Sequence, residues 1–231
     1  MTTVLITGAN RGLGLEFCRQ YARAGEQVLA ACRNPAQAHE LQELAKNYPA
    51  IQLKTLDVAD FAQIDALAQQ LAAQPIDLLI NNAGVYGDNA NNGFGKLDYA
   101  VWAGNLLVNS QAPIKMAEAF LPHLLKGDRK LIANISSLMG SITDNTSGGS
   151  IMYRSSKAAL NAAMKSLAIE LGKQGVGVIT LHPGWVKTDM GGPNALIEKE
   201  DSVSGMRTVL ADFCLAQSGH FLKYDGQPLP W

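Results

Sequence analysis

The sequence predicts an α/β fold in a single domain, a doubly wound parallel sheet with helices on both faces. Two observations carry that expectation. Short, nearly continuous apolar runs alternate with longer stretches of helical periodicity, the pattern of parallel strands covered on both sides. No composition shift and no Pro/Gly/Ser-rich linker interrupts the 231 residues, a length that supports one large core. Right-handed crossovers then leave the doubly wound topology as the natural one.

The elements follow in order. TVLIT (3–7) reads as the first strand, and a helix from about 12 to 24 puts Leu13, Phe17, Cys18 and Tyr21 on one face. QVLAA (27–31) precedes a helix running from the late thirties to Lys46. IQLKTL (51–56) leads to an Ala/Gln-rich helix near 60–73, for which Asp60 is the fitting N-cap. IDLLI (76–80) ends in NNAG and a polar Asn/Gly loop, after which one long helix is expected from about 100 to 125. KLIANIS (130–136) opens a loop to about 150, and an alanine-rich helix runs from about 152 to 172. VGVITL (176–181) ends at HPG, one more helix follows, and HFLKY (220–224) reads as a last strand.

Charge and cysteine usage exclude several function classes. The formal net charge is −1 and the charged residues are scattered, which argues against a nucleic-acid surface or a polybasic membrane patch. No apolar run approaches the ~20 residues that a membrane-spanning helix needs, and MTTVLITGANRG lacks the charged start of a signal peptide. Cys18, Cys32 and Cys214 are odd in number and lack metal-ligand spacing, so neither a disulfide framework nor a metal site is expected. A cytoplasmic location follows as the expectation.

TGANRGLG (7–14) leaves a strand and opens a helix with glycines at Gly8, Gly12 and Gly14. That context predicts a dinucleotide site: glycines permit a tight turn and close backbone approach to a pyrophosphate, whose charge meets the amides of the helix start. The second strand ends in AACRNP, with Cys32 where an NAD-binding fold expects an acid and Arg33 next to it. Arg11 lies inside the glycine loop. Two guanidinium groups near the adenosine end favour a 2′-phosphate, hence NADP(H). Tyr153 and Lys157, four apart in YRSSK, share one helix face.

Taken together, TGANRGLG, NNAG (81–84), NISS (134–137), YRSSK (153–157) and HPGWVKTDM (182–190) resemble the short-chain dehydrogenase/reductase family, in order and spacing, over nearly the whole chain. LHPGWVKTDMGG and the stretch YDGQPLPW are similar to its branch of sniffer-like carbonyl reductases and C-factor proteins. The resemblance implies a Rossmann-like fold and a catalytic tetrad of Asn109, Ser137, Tyr153 and Lys157. Ser136 beside Ser137, and Asn105 one turn before Asn109, stand as alternatives. Tyr153 is the implied general acid. One positive charge at ~4 Å and an effective dielectric of ~20 is worth ~4 kcal/mol, so Lys157 is expected to lower the phenol's pKa by roughly three units. The implied cofactor contacts are Gly8, Asn10, Arg11, Gly12, Leu13, Gly14 and Arg33, then Asp57, Val58, Asn81, Ala83 and Gly84, then Tyr153, Lys157, Pro183, Gly184, Val186 and Thr188. The substrate is expected to be a small carbonyl compound, beside Leu138, Met139, Tyr86, Trp185 and Met190. A homo-oligomer, dimer or tetramer, is expected, and neither nucleic acid nor membrane is an expected partner. The alternative reading is an NADP(H)-binding regulatory protein of C-factor type.

Overall fold

A computed structural model describes residues 1–89 and 91–231. Among the described residues seven strands form one parallel sheet: β1 (Thr3–Thr7), β2 (Gln27–Cys32), β3 (Ile51–Thr55), β4 (Leu78–Asn81), β5 (Leu131–Ile135), β6 (Gly177–His182) and β7 (Phe221–Lys223). Their spatial order is β3-β2-β1-β4-β5-β6-β7, so the winding reverses between β1 and β4. Ligands in open sheets of this kind bind outside the carboxyl ends of the strands at such a reversal.

The nearly continuous apolar strands are explained by burial on both faces. Val4 and Ile6 point to the layer built by α1 (Gly12–Arg23), α2 (His39–Asn47) and α7 (Lys199–Ala211), around Phe17, Leu41 and Met206. Leu5 between them points to the opposite layer of α3 (Phe61–Gln70), α5 (Ala112–Lys126) and α6 (Ile151–Gly172), around Ile64, Phe120 and Met164. Full burial of a side chain such as Phe17 or Phe120 contributes on the order of 2–3 kcal/mol. Asp60 caps α3 as expected, accepting from the N–H groups of Ala62 and Gln63.

One expected element is broken. The single helix over 100–125 is instead α4 (Tyr99–Leu106), a π-helical turn (Leu107–Gln111) and α5. Pro113 accounts for the break: it has no N–H for the carbonyl of Asn109, and its ring crowds that carbonyl in regular α geometry. The chain widens instead, with the Ala112 N–H donating to Leu107 O. Such π turns gather at functional sites, and this one contains Asn109. The Asn/Gly loop expected after Gly84 connects β4 to α4, with Ala90 lying outside the described residues.

Candidate active site

A cleft of about 490 Å³ opens at the β1/β4 reversal. Its floor is the glycine loop. Gly8 has φ +65, and a Cβ there would lie 2.9 Å from the Ala83 backbone. Gly14 permits a still closer approach, since its Cβ would fall 2.2 Å from Gly8 O. The loop is tied to the next strand by Asn82, whose Nδ2 donates to Thr7 O at 2.9 Å and Gly8 O at 3.2 Å. Thr7 Oγ1 accepts from the N–H groups of Asn82 and Ala83, both at 3.1 Å. This leaves a bare backbone cradle at the start of α1, which fits a pyrophosphate.

At the outer end Cys32, Arg33, Gln37, Leu56, Asp57 and Val58 line the cleft. Arg33 is exposed, with its guanidinium available to a phosphate. Arg11 forms an ion pair with Asp189 across the mouth, joining the glycine loop to the segment after β6. Asp57 holds its own turn by accepting from Ala59 N at 3.0 Å.

The inner end is built on the first turns of α6. Tyr153 and Lys157 share the buried face, and the Lys157 ammonium lies 5.8 Å from the centre of the Tyr153 ring. Lys157 Nζ donates to Ile135 O at 2.8 Å. Burial lowers the pKa of this lysine to about 8. The same burial raises the Tyr153 phenol to about 12, with the Ser137 hydroxyl pulling it down and Tyr86 pushing it further up. The lowering expected from Lys157 is corrected here: burial raises the phenol, and Lys157 is not among the groups that shift it.

The two serines separate clearly. Ser136 is buried and its hydroxyl donates to Asn161 Oδ1 at 2.6 Å. Ser137 caps the 3-10 turn Leu138–Gly140, accepting from Met139 N at 3.2 Å, and its hydroxyl is near enough to the Tyr153 phenol to lower its pKa, although Ser136 is the serine that lines the cleft. The two asparagines separate as well. Asn105 Nδ2 donates to Tyr86 O at 2.7 Å, in the loop, whereas Asn109 Nδ2 donates to Val85 O at 2.8 Å and Ser156 Oγ at 2.9 Å. Gly84 lets this group close up: a Cβ there would lie 3.2 Å from Asn109 Oδ1 and 3.6 Å from Lys157 Nζ.

Of the expected cofactor contacts, Gly8, Asn10, Arg11, Gly12, Leu13, Arg33, Asp57, Val58, Ala83, Gly84, Tyr153, Lys157, Pro183 and Thr188 line the cleft together. Gly14, Asn81, Gly184 and Val186 are not among the residues that line it, and neither are Asn109 and Ser137 of the expected tetrad. Asn81 ends β4 with its amide turned into the sheet, where Nδ2 donates to Asn134 Oδ1 at 2.9 Å. Side chains alternate along a strand, so Asn82 takes the cleft side in its place. Sequence reasoning passed over Asn82, and the alternation was the signal available. It also missed Asp88. The residue before α6, Ser150, has left-handed backbone (φ 44) and makes no side-chain cap bond to the helix. The Asp88 carboxylate supplies the cap from the β4–α4 loop, accepting from Met152 N at 3.3 Å and Tyr153 N at 2.7 Å. Tyr86 adds a second clamp, with its ring 4.7 Å from that of Tyr153 and its hydroxyl 2.7 Å from Ser150 Oγ.

Residues 2–198 match the family model of the short chain dehydrogenases. The C-signal protein of Myxococcus xanthus is 43% identical over 166 residues, spanning 72% of this chain and 99% of that protein. The carbonyl reductase Sniffer of D. melanogaster superposes with a TM-score of 0.94 at 37% identity, covering 100% of both chains. An NADPH-bound carbonyl reductase from chicken fatty liver superposes with a TM-score of 0.92 at 36% identity, covering 100% of this chain and 99% of its own. A cradle at the sheet reversal, a Tyr-Lys pair on one helix face and these likenesses agree: the chain belongs to the short-chain dehydrogenase family, among the Sniffer-like carbonyl reductases and C-signal.

Proposed function

We propose that the protein is an NADPH-dependent carbonyl reductase acting on a ketone, aldehyde or quinone, with Tyr153 as general acid. One observation carries the reading: Tyr153 and Lys157 line the inner end of a cleft whose floor is a backbone phosphate cradle and whose lining includes Arg11 and Arg33. A neutral phenol is a proton donor, as reduction requires.

NADPH bound in the cleft would supply the hydride that reaches the carbonyl carbon. The glycine-loop amides would hold the pyrophosphate, Arg11 and Arg33 the 2′-phosphate, Asp57 and Val58 the adenine, and Pro183 to Thr188 the carboxamide. Ser137 Oγ donates a hydrogen bond to the carbonyl oxygen, and Tyr153 Oη gives that oxygen its proton. Lys157, charged below about pH 8, would steady the phenolate left behind and would hold the nicotinamide ribose. Asn109, braced against Val85 and Ser156 in the π turn, keeps a polar path to Lys157 through which the proton is replaced.

Three free thiols support a reducing, cytoplasmic setting. The exposed Tyr99, Val101 and Ile169 on α4 and α6 support self-association through those helices.

The test is NADPH consumption across quinones, diketones, aldehydes and steroids, with Tyr153→Phe alongside. Turnover should fall at least ~100-fold in the variant, the scale of a lost general acid, while NADPH still binds. Tight NADPH binding without turnover of any carbonyl would overturn the reading in favour of a C-factor-type regulator.

A further inference from the structure

The stretch YDGQPLPW takes no part in the chemistry above, yet it reaches the loop that follows Ser137. After β7 the chain turns and runs back along that strand, with Lys223 N donating to Gln227 O at 2.8 Å and Leu229 N to Phe221 O at 2.9 Å. The indole of Trp231 stacks on the buried ring of Phe221, centroids 5.5 Å apart. The main-chain oxygen of Trp231 accepts from Ser141 Oγ at 3.1 Å and Thr143 N at 3.0 Å.

Ser141 closes the turn that Ser137 opens. Gly140 N donates to Ser137 O at 2.8 Å and Ser141 N to Leu138 O at 2.9 Å. The turn also lies directly on the catalytic helix: a Cβ on Gly140 would fall 2.8 Å from Lys157 Cβ, and Asn161 Nδ2 donates to Gly140 O at 3.4 Å. Beyond Ser141 the loop is exposed as far as Gly149, and it ends in three consecutive left-handed residues, Gly148, Gly149 and Ser150. Such a segment has much conformational freedom to lose, and a strap at its root limits that freedom where the geometry matters.

We propose that Trp231 is a positioning residue for the reduction: stacked on Phe221, it straps the loop after Ser137 to the rigid edge of the sheet and so holds Ser137 toward Tyr153 on the substrate side. The inference rests on the carbonyl reductase reading. Ring and main-chain oxygen have distinct duties, one anchoring to β7 and the other holding the loop.

Trp231→Ala and Trp231→Phe in the full chain test it, with three readouts: steady-state kinetics on the best carbonyl, NADPH binding, and hydrogen exchange of the Thr143 amide. In Trp231→Ala, kcat/KM for the carbonyl should fall about 10- to 100-fold, as for a slightly misplaced catalytic group. NADPH affinity should stay within about twofold of wild type, because the cradle lies elsewhere. The Thr143 amide should exchange faster, and Trp231→Phe, which keeps a stacking ring, should restore most of both changes. Unchanged Thr143 exchange would overturn the strap. Faster exchange with unchanged kcat/KM, or a parallel loss of NADPH affinity and turnover, would overturn the positioning role. Should Trp231→Ala fail to fold, Ser141→Ala removes one of the two bonds and should give the same selective loss in smaller measure. A wild type that reduces no carbonyl sinks the reductase reading alone, and exchange across Ser137–Thr143 then decides the strap.

Discussion

Replacing Lys157 by methionine should separate the stability of this fold from its chemistry. Lys157 is 4% exposed and its ammonium donates to Ile135 O at 2.8 Å. Burial takes its pKa from 10.5 down to about 8. Below pH ~8 the lysine is protonated in folded and unfolded chains alike, and the folded state carries the whole cost of burying the charge. At ~1.4 kcal/mol per pH unit that cost is about 3 kcal/mol. Methionine fills similar space without charge, but it leaves Ile135 O one bond short, at about 1 kcal/mol. The net expectation for Lys157→Met at pH 7 is a gain of about 2 kcal/mol, or roughly 4–8 °C in Tm for a chain of this size. The pH dependence has a definite sign. The folded pKa lies below the unfolded one, so between about 8 and 10.5 the unfolded chain binds more protons and wild-type stability climbs with pH. The advantage of the variant should shrink across that window and reverse slightly above it. Thermal melting without cofactor, from about pH 6 upward, measures this, and carbonyl turnover should be lost throughout. A variant that melts at or below wild type at pH 7, or an advantage independent of pH, would refute the assignment of Lys157 as a buried, desolvated charge.

Arg33→Asp places a carboxylate at the outer end of the cleft. NADPH affinity should drop about 10- to 100-fold, the worth of one charge-assisted contact, with NADH affinity unchanged or improved. Cofactor titrations that found no change in preference would remove Arg33 from the 2′-phosphate site. Asp88→Ala takes away the acceptor of the Met152 and Tyr153 N–H groups. It should cost about 1 kcal/mol in urea unfolding, as lost helix caps do, and lower kcat, with Asp88→Asn recovering part of both. Wild-type stability and kcat in Asp88→Ala would show that the cap is dispensable.

Much of the molecule is determined by local rules that a sequence displays. The Val4, Leu5, Ile6 run is apolar without interruption because the strand is buried on both sides, so it announces a central parallel strand. The spacing of Gly8, Gly12 and Gly14 declares a backbone cradle, and the four-residue step from Tyr153 to Lys157 declares a shared helix face. Pro113 was a weaker signal, because Pro122 lies inside α5 without ending it, so a proline in the sequence does not by itself say where a helix breaks. Other features were decided only by tertiary structure. The phenol of Tyr153 is raised rather than lowered because desolvation depends on every group packed around it, which neighbours in sequence do not specify. The Ser136 hydroxyl is taken by Asn161, on α6, a partner 25 residues away that the adjacent pair of serines does not announce. Asp88 caps a helix 65 residues away from it at Tyr153, and Trp231 meets Ser141 across 90 residues. Periodicity and motif spacing report which face a residue takes along its own element. Which distant group arrives there to share its burial and its hydrogen bonds is set by how the layers pack.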